Sequence, residues 1–205
     1  MKKLIIPAFI VVLFIYLSKK PAVKFISKTI DPAFEKKNNF HVIPDGKNNY
    51  RSAQMSLEDL QKVIKNYGIK TVVRMNGNGA DTHTGISIES EKDLCKLLGC
   101  NFVFLNAHEG YFKGKGYLQS ITKANKLLNA GNTLIHCNWG ADRTGFIVGA
   151  YLKNAGIITD PEALWNYTIQ FNSWNYYIKK GAFKPYFKYA EAILPPNLLN
   201  QKVNK

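Results

Sequence analysis

The segment HCNWGADRTG, residues 136–145, places Cys137 and Arg143 on either side of five residues that include Gly140. An apolar stretch typical of a strand precedes it, and an apolar stretch typical of a helix follows. The amide groups of such a loop and the helix N-terminus together form an anion site, and glycine permits the backbone angles that the loop needs. A cysteine at its centre is stabilised as a thiolate, which lowers its pKa from about 8.5. The segment therefore predicts a nucleophilic sulfur facing a bound oxyanion.

Three neighbours of the sulfur have types that suit this chemistry. Arg143, in the first turn of the helix, can hold two oxygens of a tetrahedral dianion with its planar guanidinium. Thr144 is close enough in sequence to donate its hydroxyl to the sulfur when the sulfur must leave. His136 is expected to face away from the anion and to order the loop by hydrogen bonding. A buried cysteine beside an ordinary helix start would not require all of these residue types at these positions.

The segment matches the His-Cys-x5-Arg-Ser/Thr signature of the cysteine-dependent tyrosine and dual-specificity phosphatases. YRSAQ at 50–54 resembles the entry strand of their bacterial, often exported, dual-specificity branch, and the likeness spans roughly residues 40–170. The resemblance implies that Cys137 forms a phosphocysteine, that Arg143 binds the phosphoryl group, that Thr144 assists hydrolysis, and that no metal or cofactor is needed. The implied phosphate-binding loop consists of Asn138, Trp139, Gly140, Ala141, Asp142 and Arg143. A rhodanese-type sulfurtransferase also uses a cysteine loop, but commonly with a shorter spacing to its arginine.

The general acid of this family, usually an aspartate on a mobile loop, has no obvious Trp-Pro-Asp equivalent here. Glu109 is the first choice, because it follows the strand that precedes the last helix before the phosphate loop, and glycines at 110, 114 and 116 would let its segment close. Asp81 is the main alternative, and it could instead form a turn in GNGADTHTG. His108 and Asp142 are weaker candidates. Asp142 is expected to point outward, because an inward carboxylate would repel phosphate.

The elements that must position these residues alternate between strand and helix. This alternation predicts an α/β fold with a mostly parallel central sheet flanked by helices, and the resemblance makes it phosphotyrosine-phosphatase-like. The loops 77–87, 108–116 and 137–143 leave the carboxyl ends of strands and should line one crevice. The predicted strands are 40–43, 49–54, 69–75, 101–107 and 132–137, with helices over about 56–66 and 88–98, another before 132, and more beyond 143.

The chain of 205 residues is long enough for one well-buried core with appendages. Residues 1–20 place an apolar stretch between lysine pairs and predict a signal peptide or an uncleaved signal anchor. Residues 21–39 are predicted to be a linker, 40–194 the phosphatase domain and 195–205 a polar tail. The domain is therefore expected to be membrane-anchored or exported, and periplasmic if the source is bacterial.

The formal charge of +14 would attract anionic partners, although scattered lysines are most simply a solvated surface. Residues 138–142 contain no lysine to meet the extra phosphates of an inositol phosphate. This favours phosphotyrosine in proteins or peptides, with phosphoserine and phosphothreonine as further substrates, over phosphoinositides or inositol phosphates. A module that binds phosphorylated partners without turnover is a third hypothesis. Nucleic acid is not an expected partner, because the aromatic residues sit within helical periodicity.

Other residue types that can do chemistry have simpler structural interpretations. Cys95 and Cys100 could pair in an oxidising compartment, but they are more simply small buried residues. Arg51 and Arg74 could extend the positive field towards the cleft, whereas arginines at such places more often tie strand ends together. The second interpretation is favoured for both.

Overall fold

The computed structural model describes residues 29–77, 81, 84–107, 115–169 and 171. Within these ranges five strands form one sheet in the order β1-β2-β5-β3-β4. The β1–β2 pair is antiparallel, and the other three pairs are parallel. The strands are β1 His41–Val42, β2 Tyr50–Ser52, β3 Thr71–Arg74, β4 Asn101–Phe104 and β5 Thr133–His136. The predicted α/β architecture with a mostly parallel sheet is confirmed.

Helices connect the strands, and side chains cap several of them. Ser56 and Ser87 each accept a hydrogen bond from the backbone N–H three residues ahead, and so begin the second and third helices. Gly68 ends the second helix in the left-handed conformation. The helices are α1 Pro32–Asn38, α2 Leu57–Tyr67, α3 Ile88–Leu97, α4 Lys115–Ala130, α5 Asp142–Asn154 and α6 Pro161–Ile169.

The sheet separates two apolar cores, because successive residues of a strand point to opposite faces. Val72 and Leu134 pack with residues of α2 and α3, whereas Val73 and Ile135 pack with residues of α4, α5 and α6. Cys137 belongs to the second of these cores. The alternation along β5 therefore directs residue 136 towards α3 and residue 137 towards α5, which decides the surroundings of the predicted nucleophile.

Helix α1 lies where the sequence predicts a linker over residues 21–39. Asp31 caps it by accepting a hydrogen bond from the N–H of Ala33, and a proline occupies its first position. Phe34 packs edge-on against Phe40, with ring centroids 5.7 Å apart. The described part of the predicted linker therefore contains a short capped helix, which is attached to the core through Phe34.

The predicted signal segment 1–20 and polar tail 195–205 lie outside the described residues. Across the described ranges, no helix combines the length and apolar character needed to span a bilayer. Cys95 and Cys100 are both free and buried, and both pack in the core formed with α2 and α3.

Candidate active site

Of the predicted phosphate loop, residues 138–141 follow Cys137 between β5 and α5, and Asp142 and Arg143 are the first two residues of α5. Cys137 is buried, with 2% of its surface exposed. Gly140 has a φ of +67°, and a Cβ at this position would overlap the backbone of Ser52 and Ala53. Glycine is therefore required here both for the backbone angle and for the close approach of the loop to the end of β2.

Three consecutive carbonyl groups of the loop accept hydrogen bonds from donors outside it. The oxygen of Asn138 accepts from the N–H of Gln54 at 3.0 Å. The oxygen of Trp139 accepts from Nδ2 of Asn39 at 2.8 Å, and the oxygen of Gly140 accepts from Nη2 of Arg51 at 2.8 Å. In a planar trans peptide the next N–H points away from the carbonyl. The N–H groups of residues 139–141 therefore point to the opposite side of each peptide from these donors, which is the orientation that the amides of an anion-binding loop need.

Arg143 lies in the first turn of α5, and its side chain is half-buried. Its Nη1 donates to the carbonyl oxygen of Met75, just after β3, at 2.8 Å. This bond holds the guanidinium of Arg143 next to the loop. A guanidinium has five N–H donors and this bond uses one of them, so other donors remain for an anion. Asp142, the first residue of α5, is also half-buried.

Thr144 is completely buried, and its Oγ1 has no hydrogen-bond partner among the described residues. A buried hydroxyl without an acceptor is costly, so such a group is typical of a site that a ligand or reacting atom completes. Its predicted role towards the sulfur of Cys137 stays a prediction, and the burial and missing partner are compatible with it.

Behind the loop, a buried carboxylate joins three elements. Nε2 of His136 lies 2.6 Å from Oε1 of Glu91, and Oε2 of Glu91 accepts a hydrogen bond from Nη1 of Arg74 at 2.8 Å. Burial alone would raise the pKa of Glu91, but the charges and hydrogen bonds of His136 and Arg74 outweigh it and hold that pKa at about 2. The ring of His136 is therefore fixed by an ionised carboxylate of α3.

Sequence reasoning missed Glu91. The available signal was its position four residues before Cys95 on α3, because both residues lie on the buried face of that helix. A carboxylate at an apolar helical position indicates a buried cationic partner.

The alternative general acid, Asp81, is 4% exposed and forms a turn. Its Oδ1 accepts hydrogen bonds from the N–H of Thr84 at 2.8 Å and from the hydroxyl of Thr84 at 3.0 Å. Nδ2 of Asn76 lies 3.5 Å from the other carboxylate oxygen. These contacts are those of a turn-forming carboxylate, and the role of Asp81 as the alternative general acid stays a prediction. The first-choice acid, Glu109, and the weaker candidate His108 lie outside the described residues.

No group of three or more His, Cys, Asp or Glu side chains suited to hold a metal ion occurs in the described part of the chain. No protein-family model matches the sequence, and no curated protein matches it.

Solved structures, in contrast, show the fold. TpbA from P. aeruginosa superposes with a TM-score of 0.56 at 16% identity, covering 86% of this chain and 95% of TpbA. The structure of a cysteine-to-serine variant of TpbA in complex with phosphotyrosine gives 0.54 at 16% identity, with coverage of 87% and 96%. The Siw14 catalytic core gives 0.50 at 19% identity, with coverage of 65% and 75%. The predicted phosphotyrosine-phosphatase-like fold is therefore confirmed.

Proposed function

We propose that this protein is a cysteine-dependent phosphatase that hydrolyses phosphotyrosine in proteins or peptides, with phosphoserine and phosphothreonine as further substrates. The observation that carries the proposal is the anchoring of the carbonyls of Asn138, Trp139 and Gly140 by donors outside the loop. This anchoring directs the following amides away from those donors, and amides of a loop that starts at a cysteine can stabilise an oxyanion beside its sulfur.

The reaction has two balanced steps. In the first, the sulfur of Cys137 attacks phosphorus, the ester P–O bond breaks, and the general acid gives its proton to the leaving oxygen. In the second, water attacks phosphorus, the P–S bond breaks, and the carboxylate formed in the first step takes a proton from the water. The loop amides and Arg143 hold the phosphoryl oxygens in both steps, and Thr144 stabilises the departing sulfur by hydrogen bonding.

Two observations support phosphotyrosine as the substrate class. Residues 138–142 contain no basic side chain, so the loop offers one phosphoryl group its amides and Arg143 but offers no charge to additional phosphates. Trp139, in the middle of the loop, is 58% exposed and adds apolar surface to this region. The structure of TpbA in complex with phosphotyrosine, which shares the fold, supports the same class.

The test uses the full chain and its Cys137→Ser variant on a phosphotyrosine peptide and on a chromogenic aryl phosphate. We expect the variant to lose at least about a thousandfold in kcat, because serine is a far weaker nucleophile in this setting. Cys100→Ala, which removes a buried thiol in the other core, is the matched control and should keep its turnover. An inactive wild-type protein that still binds phosphotyrosine would identify a binding module and refute the proposal.

A substrate panel decides between the two phosphate classes. The wild-type chain is assayed on phosphotyrosine peptides, phosphoserine peptides, phosphoinositides and soluble inositol phosphates. We expect the highest kcat/KM on phosphotyrosine peptides. A preference for inositol phosphates would be consistent with the proposed cysteine-dependent hydrolysis but would overturn the proposed substrate class.

The general acid is tested with Glu109→Gln and Asp81→Asn. An aryl phosphate has a good leaving group, so loss of the acid should reduce its hydrolysis less than that of a phosphoserine peptide. We expect Glu109→Gln to show this difference between the two substrates. Asp81→Asn should lower the rates on both substrates together, through the turn that Asp81 forms. Unchanged rates for Glu109→Gln would remove it as the acid.

A further inference from the structure

Two arginines in strands of the sheet are completely buried, and only one of them has a carboxylate partner in the described structure. Arg74, at the end of β3, forms an ion pair with Glu91. Arg51, in β2, takes part in no ion pair among the described residues, and its Nε and Nη1 have no acceptor there. A buried cation without a paired anion is costly, so its presence needs a local explanation.

The strand register places Arg51 on the side of the sheet that holds the nucleophile. Arg51 is paired with Ile135 in β5, and the alternation of side chains puts Ile135 and Cys137 on the same face. The guanidinium lies over the ring of Phe171 at 3.9 Å and over that of Tyr167 at 5.8 Å. Such rings stabilise a desolvated cation.

The surroundings of Arg51 also connect it electrostatically to the site. Burial lowers the pKa of the guanidinium, and Tyr167 and the charge of Cys137 act in the opposite direction. The same guanidinium donates through Nη2 to the carbonyl oxygen of Gly140. Since Arg51 is fully buried, it can reach the reaction only through the loop and through its electric field.

We propose that Arg51 is a positioning residue of the phosphate loop, which holds the Gly140 peptide so that the next N–H faces the phosphoryl group, and whose buried charge favours the thiolate of Cys137. This inference rests on the proposed phosphatase function. It assigns two effects to one side chain: the geometry of the anion site, through the hydrogen bond, and the ionisation of the sulfur, through the charge.

The test compares Arg51→Met, Arg51→Lys and the exposed-charge control Lys65→Met in the full chain. The rate of alkylation of Cys137 by iodoacetamide is measured against pH by peptide mapping, which separates it from the other thiols. We expect the midpoint of this curve to rise by about one pH unit in Arg51→Met, because a nearby cation is lost. It should stay near the wild-type value in Arg51→Lys and in Lys65→Met.

Phosphate inhibition reports the second effect. Lysine keeps the charge but has no planar fork to hold the Gly140 carbonyl. Both Arg51 variants should therefore be inhibited by inorganic phosphate about tenfold less strongly than wild type, in line with the loss of one charge-assisted hydrogen bond. Lys65→Met should match wild type.

The other ionisable groups on β5, α5 and α6, the elements next to the sulfur, are His136, Asp142, Arg143, Tyr151, Lys153, Glu162 and Tyr167. They are unchanged in all three variants, so a shift in the alkylation midpoint reports the substituted charge. Thermal unfolding of each variant identifies those that fold.

An unchanged midpoint in a folded Arg51→Met protein would overturn the electrostatic part of the inference. If Arg51→Met does not fold, the test rests on Arg51→Lys. Phosphate inhibition of Arg51→Lys that is as strong as that of wild type would overturn the positioning role. The proposed function is judged separately, by the turnover of the wild-type chain and of Cys137→Ser.

Discussion

Nε2 of His136 and Oε1 of Glu91 are 2.6 Å apart, and both side chains are almost completely buried behind the phosphate loop. This contact joins α3 to the residue that immediately precedes the nucleophile. Glu91 also accepts hydrogen bonds from Arg74 and, at 3.3 Å, from Nε2 of Gln54. One carboxylate therefore connects the ends of β5 and β3 with the segment that follows β2.

The substitution Glu91→Gln should destabilise the protein and lower the proposed phosphatase activity. It leaves Arg74 buried without an anion, and breaking a buried pair in this way typically costs about 3–5 kcal/mol. Urea unfolding gives the change in the free energy of unfolding. Glu89→Gln, an exposed position on the same helix, is the control. Equal stabilities of the two variants would contradict the role assigned to Glu91.

Acid should destabilise the wild-type protein through the same carboxylate. The folded-state pKa of Glu91 is about 2, below its ordinary value of 4.5, so its contribution to stability is complete above the unfolded-state pKa and is lost as the pH falls from 4.5 towards 2. A shift of this size corresponds to a contribution on the order of 3 kcal/mol. Urea unfolding between pH 6 and pH 2, compared with Glu91→Gln, measures it. If the stability of Glu91→Gln depended on pH in the same way as that of wild type, groups other than Glu91 would dominate the acid sensitivity.

Gly140→Ala should reduce both activity and stability more than Gly68→Ala. Both glycines have a φ of +67°, so alanine is strained equally at the two positions. Only at Gly140 would the new methyl group overlap neighbouring backbone, that of Ser52 and Ala53. Steady-state kinetics and thermal unfolding of the two variants separate the contact from the strain. Similar losses in both would mean that the loop accommodates the methyl group.

Arg143→Lys should lower kcat/KM on a phosphotyrosine peptide by about a hundredfold or more. Lysine can supply a charge, but it cannot donate to the carbonyl of Met75 and to two phosphoryl oxygens with one rigid planar group. Kinetics on the same peptide provides the measurement, and Lys153→Arg in the last turn of α5 tests for a general effect of exchanging these side chains. Activity within threefold of wild type would exclude a bidentate role.

Gly149→Ala should destabilise the contact between α5 and α6, and a second substitution should relieve it. The added Cβ would lie 2.6 Å from Oγ1 of Thr168, which is itself completely buried. Overpacking of this kind costs about 1–3 kcal/mol. In the double variant with Thr168→Ala the nearest remaining side-chain atom, the Cβ of residue 168, would be at 3.7 Å. Thermal unfolding should show that the double variant is more stable than Gly149→Ala alone. If the two substitutions instead lowered the stability additively, the clash would be contradicted.

The parts of this structure that could be predicted from the sequence are those set by local patterns. Strands β3, β4 and β5 follow from runs of apolar residues, and the capped helices follow from Ser56, Ser87 and Gly68. The loop around Cys137 was recognisable because the spacing of its residue types is a local property. Helix α1 was missed because seven residues carry too little periodicity to outweigh a polar composition.

The contacts that hold the site together could not be predicted, because they join residues far apart in the chain. Asn39 and Trp139 are separated by 100 positions, and Arg51 and Gly140 by 89. Neither pair has a local pattern that identifies its partner. The sequence analysis favoured Arg51 as a tie between strand ends, whereas its hydrogen bond goes to the loop carbonyl of Gly140, a partner that no local pattern indicated.

The anchoring of three successive loop carbonyls has a consequence for the energetics of turnover. These contacts belong to the fold and need no ligand, so in the proposed phosphatase the conformational entropy of ordering the loop is lost during folding and not during each catalytic cycle. Binding energy from the rest of the substrate can then serve the transition state. The preorganisation of this site is therefore a property of the sheet and its flanking helices.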